Sequence, residues 1–294
     1  MRKLIPILLA VVALGNAGCN DSTSPRDVSP PAAPRGLFSV TGDGSVKLSW
    51  LANTEGDLAG YRVYEAGCAS GSNCPYDRIG ATQATQMVVT GLTNGTTRYF
   101  AVSAVDNDGN ESPLSYEDIY DTPRPAGSTA LTNFFSDPTT PARWVSDTTH
   151  TGWDFSAFAK VSLNDPNSYV FYGNNGNIAQ MFATLVVVAP GDTIPNDIQD
   201  AGYAPDSPGL DAVDFSPVGL HAGWSPTGTV ELIPGHNYIV WTWDDHYAKF
   251  RVTSISNSTV SLDWAYQVAA SNGELHARPV HTATNSPRRI VWLR

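Results

Sequence analysis

Gly44-Ser45-Val46-Lys47-Leu48-Ser49-Trp50 decides the fold, because it puts Val46, Leu48 and Trp50 on one side of an extended chain and Lys47 and Ser49 on the other. Strict alternation of this kind marks a strand buried on one face. The same period of two recurs outward from it, in Tyr61 and Val63, in Met87 and Val89, and in Phe100, Val102 and Ala104. Between these runs lie Gly42-Asp43-Gly44, residues 53–60, residues 67–75, Thr93-Asn94-Gly95 and residues 106–110, all turn chemistry. Short half-buried strands at this spacing predict an antiparallel sandwich over residues 35–123.

This stretch resembles a fibronectin type III domain through Pro34, Leu37, Gly44 to Trp50, Asp57-Leu58-Ala59-Gly60-Tyr61-Arg62-Val63-Tyr64, Gly91-Leu92, Ala104-Val105-Asp106 and Gly109-Asn110-Glu111-Ser112. The resemblance implies a seven-stranded sandwich that serves as a spacer or as a protein or glycan contact, without chemistry of its own. The family's tyrosine corner falls six residues after the Leu, and here that position is Arg98, with Tyr99 next to it. Either a bulge shifts the register or the corner bond is missing. Asp106, Asp108 and Asn110 have a superficial likeness to a calcium loop, but Glu111 stands where the loop glycine belongs, so a polar turn is the reading and no metal is expected.

Upstream, Arg2 and Lys3, an apolar run from Leu4 to Leu14 and small residues up to Cys19 have the three parts of an export signal over residues 1–18. Asn16-Ala17-Gly18-Cys19 resembles a bacterial lipobox, with Asn16 where the family usually has Leu; the resemblance implies a lipid anchor on Cys19 and a cell-envelope location. The alternative is cleavage after Ala17, leaving a soluble protein with a free thiol. Residues 19–34, rich in Ser, Asp and Pro, read as an extended tether. Cys68 and Cys74 share a Gly/Ser-rich loop and are expected to form a disulfide in an oxidising compartment. With 17 basic against 28 acidic residues the chain carries a formal charge of -11, which repels a phosphate backbone and argues against a nucleic-acid partner.

Residues 121–128, with two prolines and no apolar periodicity, read as a second linker. Beyond it, residues 124–294 form a second antiparallel β-rich domain, so the whole chain is expected to be all-β. Its strand-like pieces are residues 169–172, 178–188, 229–233, 238–243, 247–255, 259–266 and 290–293. Residues 237–267 read as a meander in which Ala248, Phe250 and Val252 share a face with Val260, Leu262, Trp264 and Tyr266 of the next strand. Gly152-Trp153-Asp154-Phe155-Ser156-Ala157-Phe158, Gly235-His236-Asn237-Tyr238-Ile239-Val240 and His246-Tyr247-Ala248-Lys249-Phe250-Arg251-Val252 resemble the HmuY-type family of exported β-rich lipoproteins. Some members of that family bind haem through two axial side chains.

Haem capture needs imidazole or soft axial ligands in an apolar cleft. Of His150, His221, His236, His246, His276 and His281, the pair His150 and His221 is favoured, because Trp153 and Trp224 lie close to them in sequence and could wall a flat ligand; His246 is next. Sugar binding would use Trp241 and Trp243, read as one face of a strand beside Asp244 and Asp245, although alternate bulky residues on a strand ordinarily make core. No Gly-x-Ser-x-Gly elbow, His-Glu-x-x-His pair or glycine-rich phosphate loop occurs, so an enzyme is not expected. What is expected is a binding or display module of the envelope, with haem, a glycan or a surface protein as the ligand classes, or a structural envelope component.

Overall fold

A computed structural model describes residues 27–68, 74–117, 119–134, 150–162, 165–189, 192–203 and 223–273. Every regular element among them is a strand. The first seven are β1 (Phe38–Gly42), β2 (Ser45–Ser49), β3 (Leu58–Ala66), β4 (Asp77–Thr82), β5 (Gln86–Thr90), β6 (Arg98–Asp106) and β7 (Ile119–Asp121). They form a three-stranded sheet β1-β2-β5 facing a four-stranded sheet β4-β3-β6-β7. The alternation around Trp50 becomes the core between them, where Val46, Leu48, Val63, Phe100 and Val102 are fully buried. Trp50 meets Tyr61 edge to face at 5.3 Å.

The outer side of the four-stranded sheet is covered by the chain after β6. Leu114 packs on Tyr64, Ala66 and Ala101, and Glu111 fixes this cover by accepting hydrogen bonds from Arg62 Nη1, Tyr64 Oη and Ser103 Oγ. Burial, and then the adjacent Glu111 carboxylate, push the Tyr64 phenol up to about 12. The corner position is held by Arg98, whose Nε lies 3.4 Å from Glu65 Oε1. Tyr99 pairs in register with Tyr120 and Ala66, with its ring 5.7 Å from that of Tyr120. No bulge intervenes at Arg98 or Tyr99, so the arginine takes the corner position in register. Cys68 and Cys74 are joined as a disulfide, with Cα atoms 5.9 Å apart.

The second sandwich comprises β8 (Ala126–Thr132), β9 (Gly152–Asp154), β10 (Ala159–Val161), β11 (Val170–Asn174), β12 (Ala179–Ala183), β15 (Asp197–Gly202), β16 (Thr229–Glu231), β17 (Asn237–Trp241), β18 (Tyr247–Ile255) and β19 (Thr259–Gln267). Sheets β10-β9-β11-β12-β16 and β15-β17-β18-β19-β8 enclose an aromatic core, and β13 (Leu185–Ala189) pairs with β14 (Asp192–Pro195) beside them. The meander has the expected register, with Ala248 opposite Tyr266, Phe250 opposite Trp264 and Val252 opposite Leu262, all facing that core.

Two stretches depart from the sequence expectation. The run 178–188 is two strands, interrupted at Thr184. There the backbone N–H donates to Tyr169 O at 3.0 Å and the hydroxyl accepts from Asn196 Nδ2 at 2.9 Å, which turns the chain out of its sheet. Residues 121–128 are not a free linker: Asp121 ends β7 and Ala126 begins β8, which runs along β19 from Ala126 opposite Ala265 to Thr132 opposite Thr259. The small residues of β8 carry no apolar period because Gly127 lies under the Trp264 ring, where a Cβ would come within 3.0 Å.

Candidate functional site

At the end of the second sandwich where β8 begins and β19 ends, three turns converge. The first follows β9. Asp154 Oδ1 accepts from Ser156 N at 2.8 Å, Ser156 Oγ at 2.7 Å and Ala157 N at 3.0 Å. The chain then passes through Phe158 at φ 55°. A left-handed backbone is costly for a residue with a bulky side chain. Phe158 nevertheless stays 42% exposed, its ring lying almost parallel to Trp264 at 5.4 Å and 15°. Trp264 is in turn backed by Trp153 at 5.3 Å. The result is a flat apolar surface mounted on a buried aromatic stack.

The second turn joins β17 to β18. It is closed by Thr242, whose N–H and hydroxyl both donate to His246 O, at 2.9 and 3.0 Å, and whose hydroxyl accepts from His246 N at 2.9 Å. Trp243 is 38% exposed and its N–H donates to Asn196 Oδ1 at 2.9 Å. The His246 ring stacks on Tyr266 at 5.5 Å, and Tyr266 meets Phe158 edge to face at 6.4 Å. Tyr169 Oη donates to Asp244 Oδ2 at 3.3 Å. His246 Nδ1 lies 3.3 Å from the same oxygen without hydrogen-bond alignment, a contact that becomes an ion pair when the imidazole is protonated. Among the described residues, Asp244 Oδ1 and His246 Nδ1 make no hydrogen bond. Burial, with smaller contributions from the Asp244 and Asp154 charges, pushes the Tyr169 phenol up to about 12; burial and the Asp244 charge also raise that of Tyr266.

The third turn, after β19, braces the second. Asp245, itself at φ 63°, accepts from Trp241 Nε1 at 2.9 Å and from Ser271 Oγ, and its carbonyl accepts from Ser271 N at 2.7 Å. The Ser271 and Trp241 hydrogen bonds hold the Asp245 carboxyl below its usual range. Trp241 is thereby fixed flat on Tyr247, at 5.9 Å and 1°, with Trp224 6.1 Å away.

The residues singled out from the sequence are distributed unevenly around this end. Trp241 and Trp243 do not share a strand face, because β17 stops at Trp241 and the turn carries Trp243 away. Trp153 lies in the core between the sheets, whereas Trp224 packs with Ile239, Tyr247 and Trp241 on the far side of the sheet containing β17, so the two tryptophans do not wall one slot. His150 precedes β9 and its carbonyl accepts from Thr132 N at 2.9 Å, which puts it at the opposite end of the sandwich from His246. His236 pairs with Asp200 at 3.0 Å. Cys19, His221, His276, His281 and residues 290–293 lie outside the described residues. The sequence does not mark Phe158; the local signal is Asp154 followed by Ser156, a turn-forming pair, but nothing in residue type announces a left-handed phenylalanine.

In the first sandwich the polar turn after β6 brings Asp106 together with Asp27 and Asp57, with ligand atoms within 4.8 Å of one another. Both Asp106 oxygens are already engaged by Asn110, through its N–H at 2.8 Å and its side-chain amide at 2.7 Å. The carboxyl is held below its usual range by these Asn110 bonds, against an opposing effect of burial.

These two units define an all-β protein of paired sandwiches, one of them closed over a continuous core and the other carrying an aromatic, polar-edged end. Residues 30–117 match the model of the fibronectin type III domain and form such a domain, which is a non-catalytic module. Similar sequence occurs in the chitinase Chi52 of Paenibacillus xylanexedens, 39% identical over 115 residues, covering 38% of this chain and 20% of that protein. An amylopullulanase of Thermoanaerobacterium saccharolyticum is 30% identical over 116 residues, covering 39% of this chain and 8% of that protein. The chain thus spans a fifth or less of the length of these curated relatives. Among solved structures, an Fn3-like protein from Clostridium thermocellum is 35% identical, covers 30% of this chain and 88% of its own, and gives a TM-score of 0.26.

Proposed function

We propose that this chain is an exported cell-envelope lipoprotein, anchored through Cys19, that binds a polysaccharide at the Phe158 and Trp243 end of its second sandwich and uses the fibronectin type III domain as a spacer. The exposed Phe158 ring carries the reading. It is held in a left-handed conformation, mounted on Trp264 and set edge-on to Tyr266, which carries the His246 ring on its face. Backbone strain retained at an exposed aromatic is a feature of functional positions. An exposed flat apolar ring at an end edged by polar turns is the arrangement that matches a sugar, which offers one apolar face and a rim of hydroxyls. Relatives that are a chitinase and amylopullulanases support a polysaccharide as the ligand class. No step of bond cleavage is assigned to this end.

The experiment is retention on insoluble polysaccharides, chitin and pullulan-type glucans first, with the full chain and with Phe158→Ala and Trp243→Ala. Loss of one ring contact worth about 1.4 kcal/mol weakens retention about tenfold. Absence of retention on every polysaccharide tried overturns the reading. The anchor is tested separately by Cys19→Ser, which is expected to release the protein from membranes; unchanged membrane partition removes the lipid anchor from the proposal.

A further inference from the structure

We infer that residues 122–125 weld the two sandwiches into one mechanical unit, so that the first domain sets the orientation of the binding turns instead of swinging on a flexible spacer; this holds whatever the ligand is. The sequence Thr122-Pro123-Arg124-Pro125 prepares it. Two residues that each precede a proline are confined to extended conformations, and the two prolines fix their own φ, so the segment is stiff before any contact forms. The structure then binds it from both sides at successive residues. On the first sandwich, Thr97 and Thr122 share a hydroxyl contact at 2.9 Å, Gly95 N donates to Pro123 O at 2.7 Å, and Arg124 N donates to Gly42 O at 3.1 Å. On the second, Gln267 Nε2 donates to Thr122 O at 3.3 Å, Asn272 Nδ2 to Thr122 Oγ1 at 3.3 Å, and Tyr266 N to Pro125 O at 3.0 Å.

Residues 121–125 are all buried, and the side chain of Arg124 is among the largest that are fully enclosed. An extended connector between independent domains would instead leave its backbone to solvent. The two bodies approach tightly at Gly95, φ 79°, where an added Cβ would sit 2.6 Å from Val268 Cγ2. The joint also reaches the proposed binding end, because Tyr266 carries the His246 ring and Asn272 follows the Ser271 that holds Asp245.

Gly91 supplies the control. It lies in the same connection between β5 and β6, at φ 76°, with nothing within 4 Å of an added Cβ. Alanine therefore costs similar backbone strain at both positions, while only at Gly95 does it push on the second sandwich. Calorimetry of the full chain is expected to show one transition for both sandwiches. Gly91→Ala should lower it by about 2–4 °C; Gly95→Ala should lower it at least twice as far or split it, and Val268→Ala in the same chain should restore part of the loss. Two independent transitions in the unsubstituted protein, or equal effects of the two alanines, overturn the weld. If Gly95→Ala does not fold, nitrogen relaxation of the unsubstituted chain decides: one rotational correlation time for both sandwiches supports the weld, and two shorter ones refute it.

Discussion

Replacing Phe158 separates the strain it carries from the surface it provides. A phenylalanine side chain brings about 200 Å² to a contact, and with 42% of the residue exposed roughly 115 Å² is covered, equivalent to about 3 kcal/mol at 25 cal/mol per Å². The parallel stack on Trp264 adds about 1 kcal/mol. Against this stands a left-handed backbone costing about 1–2 kcal/mol. Phe158→Ala loses the contact and the stack and keeps the strain, so it should destabilise the second sandwich by about 4 kcal/mol. Phe158→Gly loses the same contact but relieves the strain, partly offset by the greater freedom of glycine in the unfolded chain, and should be about 1 kcal/mol more stable than the alanine variant. That order reverses the usual one, in which alanine is the more stable residue. Urea unfolding followed by tryptophan fluorescence, with Trp264 directly beneath the substituted ring, measures it. Both variants should be retained about tenfold more weakly on the polysaccharide that holds the parent chain. An alanine variant as stable as the glycine one would refute the strain argument, and undiminished retention of either would refute the platform.

Three further outcomes are expected. Glu111→Gln turns one of the two oxygens that receive Arg62, Tyr64 and Ser103 into a donor, and should destabilise the first sandwich by about 3 kcal/mol; a change below about 1 kcal/mol in the urea series would mean the pair behaves as a solvent-screened surface contact. Tyr64 and Tyr169 have phenols pushed up to about 12 from 10. The fold therefore favours their neutral form, and this stability is fully present below pH 10 and lost as pH rises through about 12. Tyrosinate absorbance should show these groups titrating late and together with unfolding, and their titration near pH 10 in the folded protein would contradict it. Haem is not expected in a slot walled by Trp153 and Trp224, because the two lie on opposite sides of a sheet; a saturable Soret shift abolished by His150→Ala would reinstate that site.

The first sandwich was legible because its strands alternate cleanly and its turns carry Gly, Asn and Asp at the points where the chain reverses, so Val46, Leu48, Phe100 and Val102 could be assigned to one core. The β17 to β19 meander was legible for the same reason. What escaped was set by partners distant in sequence. Strand β8 looks like a linker because its small residues are shaped by Trp264, 137 positions beyond Gly127. Thr184 looks like the middle of a strand until Tyr169 and Asn196 take up its hydrogen bonds. At the candidate site, Asp244 and His246 share a turn that the sequence displays, but neighbours along the chain such as His150 and Trp153 need not face the same space. Once β9 forms, Trp153 belongs to the core while His150 lies outside the strand.

Fibronectin type III domains are often handled as interchangeable beads that can be exchanged between proteins. The contacts of residues 122–125 restrict that exchange here. A substitute module would need a residue without a side chain where Gly95 meets Val268, a turn carbonyl where Gly42 receives Arg124, and an amide where Gly95 reaches Pro123. A chimaera built by matching strand boundaries alone would keep both sandwiches intact yet lose their fixed angle, whereas one that carries over Gly42, Gly95 and Thr97 along with the connector retains the docking set.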